Sequence, residues 1–370
     1  MYIYQQPDWP TWTWDDRALT SLISNVRHLQ GQLLGRVQWA GFPIKLEAQL
    51  EILALDVLTS NAIEGNHLDT DEVRSSVAKQ LGVELTNPRS TTHYVDGVVE
   101  MMIDATRGFD QPITEERLFG WHSCLFPTGR SGLNKITVGA WRTDEDGPMQ
   151  VISGGMGRER VHFEAPPAAQ VEDEMRRLIL WVNTCDLEPL IKSAVAHLWC
   201  LTIHPFDDGN GRVARALSDL LLTRSDQVPF RFYSISAQIE RQKKGYYQAL
   251  EIAQRGTLDV TSWVSWYLSC LEGALLNSAQ LLERVFIRAR FWEAHRETPL
   301  NERQRHMLKL LLGDFEGKLK TSKWAKICKC SHDTAARDIN DLIQRGVLVR
   351  EEAGGRSTSY RLALPLEAPQ

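Results

Sequence analysis

Residues 204–215 read HPFDDGNGRVAR. A histidine, two aspartates, a Gly-Asn-Gly run and two arginines three apart share this one short segment. The preceding AVAHLWCLTIHPF is an apolar helix that must end at Pro205, because the residue before a proline is biased out of helical geometry. His204 therefore stands at a helix end, and RVARALSDLLL predicts a second helix opening near Arg212. A Gly-Asn-Gly loop feeding a helix N-terminus presents successive backbone N–H groups with few side chains in the way. Such a loop is an anion nest, and the helix dipole reinforces it. Arg212 and Arg215 share one helix face and reach for anionic oxygen. Cations at that end oppose the dipole, so an anion should compensate them. Asp208 suits a hard cation such as Mg²⁺, which takes a carboxylate, phosphate oxygens and waters. His204 suits a general base. Base, metal carboxylate, nest and arginine pair together describe phosphoryl or nucleotidyl transfer to a nucleophile that the histidine deprotonates. A base titrating near its ordinary pKa of about 6.5 predicts activity lost as acid protonates it and varying between pH ~5 and ~8.

The elements that must position these groups are mostly helical. Leu19, Leu22, Ile23, Val26, Leu29 and Leu33 carry helical periodicity over about 15–38. A second helix is predicted at about 44–64, with Leu50, Leu53, Val57, Ala62 and Ile63 on its buried side and a stop at Gly65-Asn66. Others are predicted near 69–81, 90–107, 114–125 and 168–184, and helices dominate 189–285. Two short β-type runs, Met149–Ile152 and Arg160–Phe163, flank Gly154-Gly155 and predict a hairpin. The tail, about 299–364, reads as three short helices and then two strand-like runs, Val347–Arg350 and Ser359–Leu364, separated by a Gly-Gly turn. That order of elements is the winged-helix order.

At 370 residues, 43% hydrophobic and 24% charged, the chain is long enough for two or three domains with a proper core. A net charge of −5 gives no global attraction to nucleic acid or anionic membrane. No stretch approaches the roughly 20 apolar residues of a bilayer span. MYIYQQPDWPTWTWDD has neither the basic start nor the apolar run of a signal peptide. Six cysteines without framework spacing fit a reducing, cytoplasmic setting, and Cys328-Lys-Cys330 lacks the second pair that a structural zinc needs.

HPFDDGNGRVAR resembles the Fic motif, HPF-x-[D/E]-GNGR-x-x-R, at every fixed position. The resemblance implies a mainly α fold, a Fic-type helical core with a β-hairpin flap, followed here by a winged-helix (α+β) domain. It implies a protein adenylyltransferase that moves AMP from ATP to a Ser, Thr or Tyr hydroxyl of a target protein. By that resemblance His204 is the general base and Asp208 holds Mg²⁺. Gly209, Asn210 and Gly211 cradle the phosphates, Arg212 contacts them and Arg215 pairs the γ-phosphate, with Val213 and Ala214 between. The 149–163 hairpin is similar to the family's flap, where Gln150, Val151 and Ile152 would register a target segment by strand addition. GAWRT (139–143) is similar to the run leading into it. GYYQAL (245–250) resembles the region closing over adenine, which makes Tyr246, Tyr247 and Leu250 candidates. The likeness covers about 50–285, and the Trp/Pro-rich start looks like the domain that often precedes Fic domains.

SNAIEGN (60–66) raises a second question. Ser60 and Glu64 lie on one helix face, and Glu64 in the last turn meets the negative end of the dipole, so a cation should pair with it. Ser60, Glu64 and Gly65 match the family's inhibitory motif [S/T]-x-x-x-E-[G/N]. The resemblance implies that Glu64 pairs with Arg215 and holds the enzyme off.

The expected domains are 1–110 (N-terminal helical, carrying the inhibitory motif), 111–290 (Fic catalytic) and 291–370 (winged-helix-like). In the tail, 331–346 would be the recognition helix, with Arg337 forward-facing, Arg350, Arg356 and Arg361 on the wing, and Asp333, Asp338 and Asp341 diluting the positive face. The open partners are a hydroxyl-bearing target protein, the chain itself as acceptor, DNA through the tail and a second copy in a homodimer, with no membrane. The alternatives are a DNA-binding regulator with a nucleotide-sensing Fic core, and a Fic enzyme that transfers another phosphate-containing group or removes AMP.

Overall fold

A computed structural model describes residues 1–85, 87–145, 147–154, 160–313, 315–351 and 358–363. The chain divides into two compact units, Met1–Ala279 and Gln280–Gln370. Among the described residues the first unit is helical apart from two small hairpins: α1 (Asp16–Gln38), α2 (Phe42–Ile63), α3 (Thr70–Leu81), α4 (His93–Arg107), α5 (Glu115–Leu125), β1 (Arg130–Ser131), β2 (Asn134–Lys135), β3 (Gln150–Ser153), β4 (Arg160–Glu164), α6 (Ala168–Thr184), α7 (Pro189–Ile203), α8 (Asn210–Asp226), α9 (Ile235–Arg241) and α10 (Lys243–Gln254). The division falls inside α11 (Thr261–Ala294).

α7 and α8 form the centre. Nearly every residue of α7 from Leu190 to Ile203 is buried, as is almost all of α8 through Thr223, and the pair reaches a cavity at its joined ends, through Leu201, the connecting loop, Asn210 and Gly211. α2 departs from its sequence reading. Leu53 and Ala62 are half-buried, whereas Asp56, Ser60 and Asn61 are buried. An apolar periodicity cannot register a buried stripe that is polar. That stripe is satisfied: Ser234 Oγ donates to Asp56 Oδ1 (2.5 Å) and Asn61 Nδ2 to Val57 O (2.8 Å). The N-terminal tryptophans belong to the same unit, with Trp9 and Trp12 packed edge-on against Trp199 of α7 and Trp9 Nε1 donating to Glu174 (2.8 Å).

β3 and β4 pair antiparallel, with the register shifting between Val151 and Ile152. The Gly155 half of the expected turn lies outside the described residues. The β1–β2 hairpin was not anticipated from sequence; Gly132, at φ +56°, permits its turn. α8 opens at Asn210, two residues earlier than expected, with Gly209 at φ +83° as its N-cap.

The second unit holds α12 (Glu302–Leu311), α13 (Thr321–Ile327), α14 (His332–Gln344) and the antiparallel pair β5 (Leu348–Arg350) and β6 (Tyr360–Leu362) around Phe291, Met307, Leu308, Trp324, Ile339 and Leu342. The Gly-Gly turn, Arg356 and Leu364 lie outside the described residues. No described helix is long and apolar enough to cross a membrane.

α4 approaches α5 so closely that a Cβ on Gly97 would collide with the Cys124 carbonyl, whereas one on exposed Gly120 meets nothing within 4 Å. Gly97→Ala should therefore destabilise by about 1–3 kcal/mol through overpacking. Gly120→Ala should stabilise by about 0.5–1 kcal/mol through helix propensity. Urea midpoints of the two variants check both signs.

Candidate active site

α7 stops at Ile203, and His204 takes a left-handed conformation, φ 53°, ψ 60°, that costs a non-glycine residue energy. Arg142 offsets this cost. Its Nε donates to His204 O (2.8 Å) and its amide to Pro205 O (2.9 Å), while its other guanidinium nitrogens reach Asp144 and Pro166 O. The His204 ring stacks its Nδ1 3.3 Å from Leu201 O. A carbonyl only accepts, so Nδ1 carries the proton and Nε2 is left as the basic nitrogen.

The next turn is built by side chains bonding backbone. Asn210 Oδ1 accepts from Phe206 N (2.9 Å) and its Nδ2 donates to Phe206 O (2.7 Å). The Asn210 side chain is thus a strut, and what it offers an anion is its backbone at the start of α8. Asp207 is a second strut, accepting from Thr137 N (2.8 Å). His122 accepts from Gly139 N (3.2 Å), so its Nε2 donates to Asp208 O (3.1 Å) while the ring stacks on Phe206 at 4.1 Å. Burial holds the His122 pKa below its usual value. A methyl on Gly209 would stand 2.8 Å from the Phe126 ring, so the loop needs glycine for space as well as φ.

Asp208 keeps a 44% exposed carboxylate at the cavity wall. One oxygen meets Ser131 Oγ and the other accepts from Gly209 N (2.5 Å). Among the described residues no three His, Cys, Asp or Glu side chains converge as a metal cage. One open carboxylate beside a phosphate-type nest fits a cation arriving with its phosphate ligands, because Mg²⁺ takes few protein ligands and retains water.

Both arginines are buried. Arg215 Nε donates to Ser60 Oγ (2.9 Å), and its Nη2 to Ser60 O (2.8 Å) and Glu64 Oε1 (2.7 Å). Arg212 Nη1 donates to Tyr94 Oη (2.8 Å), and its guanidinium lies over Phe126 at 5.0 Å. Two buried donors, Arg212 Nε and Arg215 Nη1, have no hydrogen-bond partner among the described residues. Glu64 caps α2, Gly65 follows at φ +83°, and the Glu64 carboxylate lies where a methyl on Gly211 would strike it. A carboxylate therefore occupies the rim of the glycine nest.

The cavity measures about 1070 Å³, and His204, Asp208, Gly209–Gly211, Glu64, Gln150–Ile152, Tyr246, Tyr247 and Leu250 all face it. Val213 and Ala214 are fully buried in α8 and are not brought to its wall. Tyr246 is 2% exposed, with its hydroxyl bonded to His197 Nε2 (2.8 Å), so it contributes a ring edge; Tyr247, 42% exposed, offers a free face and donates to Ile63 O (3.3 Å). Ile152 on the flap is 54% exposed. Sequence reasoning passed over Tyr94, His122 and Ser131, which touch the motif from α4, α5 and β1. Only Arg142 lay in a segment it had singled out.

A helical core thus brings a base, an exposed carboxylate and a glycine nest to one cavity. Residues 112–222 match the model of the Fic/DOC family, so the chain carries a Fic/DOC domain, and residues 2–83 match a domain of unknown function, DUF4172. Among curated proteins the chain is similar to protein adenylyltransferase fic-1 of Caenorhabditis elegans, 33% identical over 91 residues, which are 24% of this chain and 17% of that protein. It is also similar to protein adenylyltransferase Fic of Drosophila virilis, 34% identical over 136 residues, 35% of this chain and 26% of that protein. The chain thus spans about a quarter or less of these relatives. Its fold is that of a Fic family protein from Desulfovibrio desulfuricans G20 (TM-score 0.55, 20% identity, 98% of this chain and 99% of that one). A Fic domain containing signaling protein from Bacteroides thetaiotaomicron VPI-5482 shares it too (TM-score 0.52, 20% identity, 70% and 97%).

The pH expectation from sequence is overturned. Burial is the largest influence on His204 and pushes its pKa down to about 4, so the ring stays neutral from pH ~5 to ~8. A rate that is flat over that range is now what a His204 base predicts, with an acid limb only nearer pH ~4. The unfolded imidazole binds its proton near 6.5, so between about 6.5 and 4 the unfolded chain takes up more protons. The stability associated with a neutral His204 is therefore lost as pH falls through that window. Ring NMR of His204 should titrate near 4. Urea midpoints of His204→Asn should fall less than those of the parent between pH ~6.5 and ~4.5; an equal fall would contradict the depressed pKa.

Proposed function

We propose that this chain is a protein adenylyltransferase that moves AMP from ATP to a Ser, Thr or Tyr hydroxyl of a target protein and that Glu64 holds it at low activity. The observation that carries the reading is the common wall: the basic nitrogen of His204, the open carboxylate of Asp208 and the amides of Gly209–Gly211 border one cavity at the N-terminus of α8. The target oxygen attacks the α-phosphorus, its proton passes to His204 Nε2, and the bond to the bridging oxygen breaks to release pyrophosphate. The glycine amides and the helix end hold the α- and β-phosphates. Mg²⁺, held by Asp208, would neutralise charge building on the phosphates. Arg212 Nε and Arg215 Nη1, buried behind the cavity wall and without a hydrogen-bond partner among the described residues, are the donors that would turn to phosphate oxygens when a nucleotide binds.

Glu64 competes for the same ground. It pairs with Arg215 and lies against Gly211, so a γ-phosphate and this carboxylate are mutually exclusive by charge and by space. In this reading the first 110 residues carry the brake and 111–290 the chemistry. The three helices and hairpin of the tail form a winged-helix-type accessory module. Its acid content is partly spent internally, since Asp338 is bonded to Arg303 (2.8 Å) and Asp341 to Arg345 (2.8 Å), leaving Arg337 exposed on α14. Six free thiols suit a reducing compartment.

Purified parent, Glu64→Gly and His204→Ala proteins should be incubated with α-labelled ATP, Mg²⁺ and a cell extract as the source of targets. Glu64→Gly should raise AMP incorporation by about tenfold to a hundredfold, the equivalent of one charge-assisted hydrogen bond. His204→Ala in that background should lower it by about 10²–10⁴-fold. Equal incorporation by parent and Glu64→Gly would refute the brake, and none by either would refute the activity.

A further inference from the structure

Outside the motif, one more nucleophile, base and carboxylate stand in line on the same cavity. Ser153, the last residue of β3, has its Oγ 2.5 Å from His162 Nε2 of β4. His162 Nδ1 is 2.9 Å from Glu251 Oε2 of α10. Glu251 also pairs with Arg160 (2.8 Å), and hydrogen bonds from His162 and Arg160 hold its pKa below the ordinary carboxylate value, so it is ionised and accepts. The His162 proton therefore lies on Nδ1, and Nε2 accepts from the serine hydroxyl. Nucleophile, base and orienting carboxylate within hydrogen-bond reach is the general arrangement of an activated serine. Ser153 is exposed and free to react, and all three residues line the cavity that holds His204 and the glycine nest.

A cross-strand hydrogen bond needs no carboxylate behind it, yet here Glu251 comes from a separate helix. Arg255 seats the hairpin beside it, donating to His162 O (2.8 Å) and Val161 O (3.1 Å). Arg255 thereby covers the outer edge of β4 and leaves β3, with Ser153 at its end, as the open edge.

We infer that Ser153 is an acceptor site for self-modification: resting on the adenylyltransferase reading, its hydroxyl takes AMP from the ATP bound in the same cavity. Ser153 Oγ forms a bond to the α-phosphorus and the bond to the bridging oxygen breaks, so pyrophosphate leaves with its electron pair. The serine proton passes to His162 Nε2 and on to solvent, with Glu251 stabilising the imidazolium. AMP on Ser153 would then stand at the end of the open β3 edge and obstruct a target strand there.

The test uses the full-length Glu64→Gly protein with ATP and Mg²⁺, read by peptide mass spectrometry for a serine adduct of one AMP. Ser153 should carry it, with a first-order rate independent of protein concentration. Ser153→Thr should be labelled at the same position and Ser153→Ala should lose that label. His162→Gln and Glu251→Gln should slow labelling at this site, His162→Gln by about 10²-fold or more. Adducts only elsewhere on the chain or on extract proteins would overturn this inference and leave the proposed function standing, whereas no transfer anywhere would remove both. Labelling of Ser153 at an undiminished rate in His162→Gln would overturn the activated-serine assignment, and a rate proportional to protein concentration would overturn transfer within one molecule.

Discussion

Arg215 has no exposed side-chain surface, and its charge has to be met inside the protein. Burying a guanidinium unpaired is costly, and its partners come from 151 to 155 residues earlier in the chain. Ser60 Oγ, Ser60 O and Glu64 Oε1 all belong to the end of α2, so α2 must lie along α8 at a set height. Burial disfavours the charge on Arg215, yet Glu64 keeps its pKa above the usual value. The polar stripe on α2 and the C-terminal stop at Gly65 both follow from this demand. The one solvent-facing member of the pair, Glu64, is also the one placed at the mouth of the nest.

The α7–α8 turn adds a second constraint. Two helices buried on nearly all sides can be joined through the interior only if every backbone group in the turn is satisfied. Asn210, His122 and Arg142 satisfy Phe206, Asp208 and His204 in this way, each with a side chain bonded to backbone, while the Asp207 carboxylate ties the turn to Thr137 N. What faces the cavity is the His204 basic nitrogen, the 44% exposed Asp208 carboxylate and the start of α8. Stability and chemistry are thus divided residue by residue within one motif, as the two neighbouring aspartates illustrate.

The flap has a looser relation to the core. It is seated by polar contacts from α10, through Glu251 and Arg255, and it exposes Ile152 and Ser153. The helix that brings Tyr247 and Leu250 to the cavity also holds the strand that borders it, so a nucleotide packed on α10 would be felt at the hairpin.

Local patterns determined a good deal of this protein. Pro205 ended a helix, two glycines opened another, apolar periodicity placed α1 to within a residue of its observed ends, and alternation around Gly154 produced the hairpin. The chemical types in 204–215 pointed to phosphate chemistry because few packing needs call for that mixture. Tertiary structure alone decided which of those groups are free. Asn210 and Asp207 have the same local credentials as reactive groups, yet their hydrogen bonds are used on backbone. Tyr246 and Tyr247 are adjacent, yet one is a core residue bonded to His197 and the other offers an exposed face. Tyr94, His122, Ser131 and the Ser153–His162–Glu251 line could not be read from spacing, because each joins elements remote in sequence. The His204 pKa likewise depends on the low-dielectric surroundings that packing creates, and no local residue pattern encodes that burial.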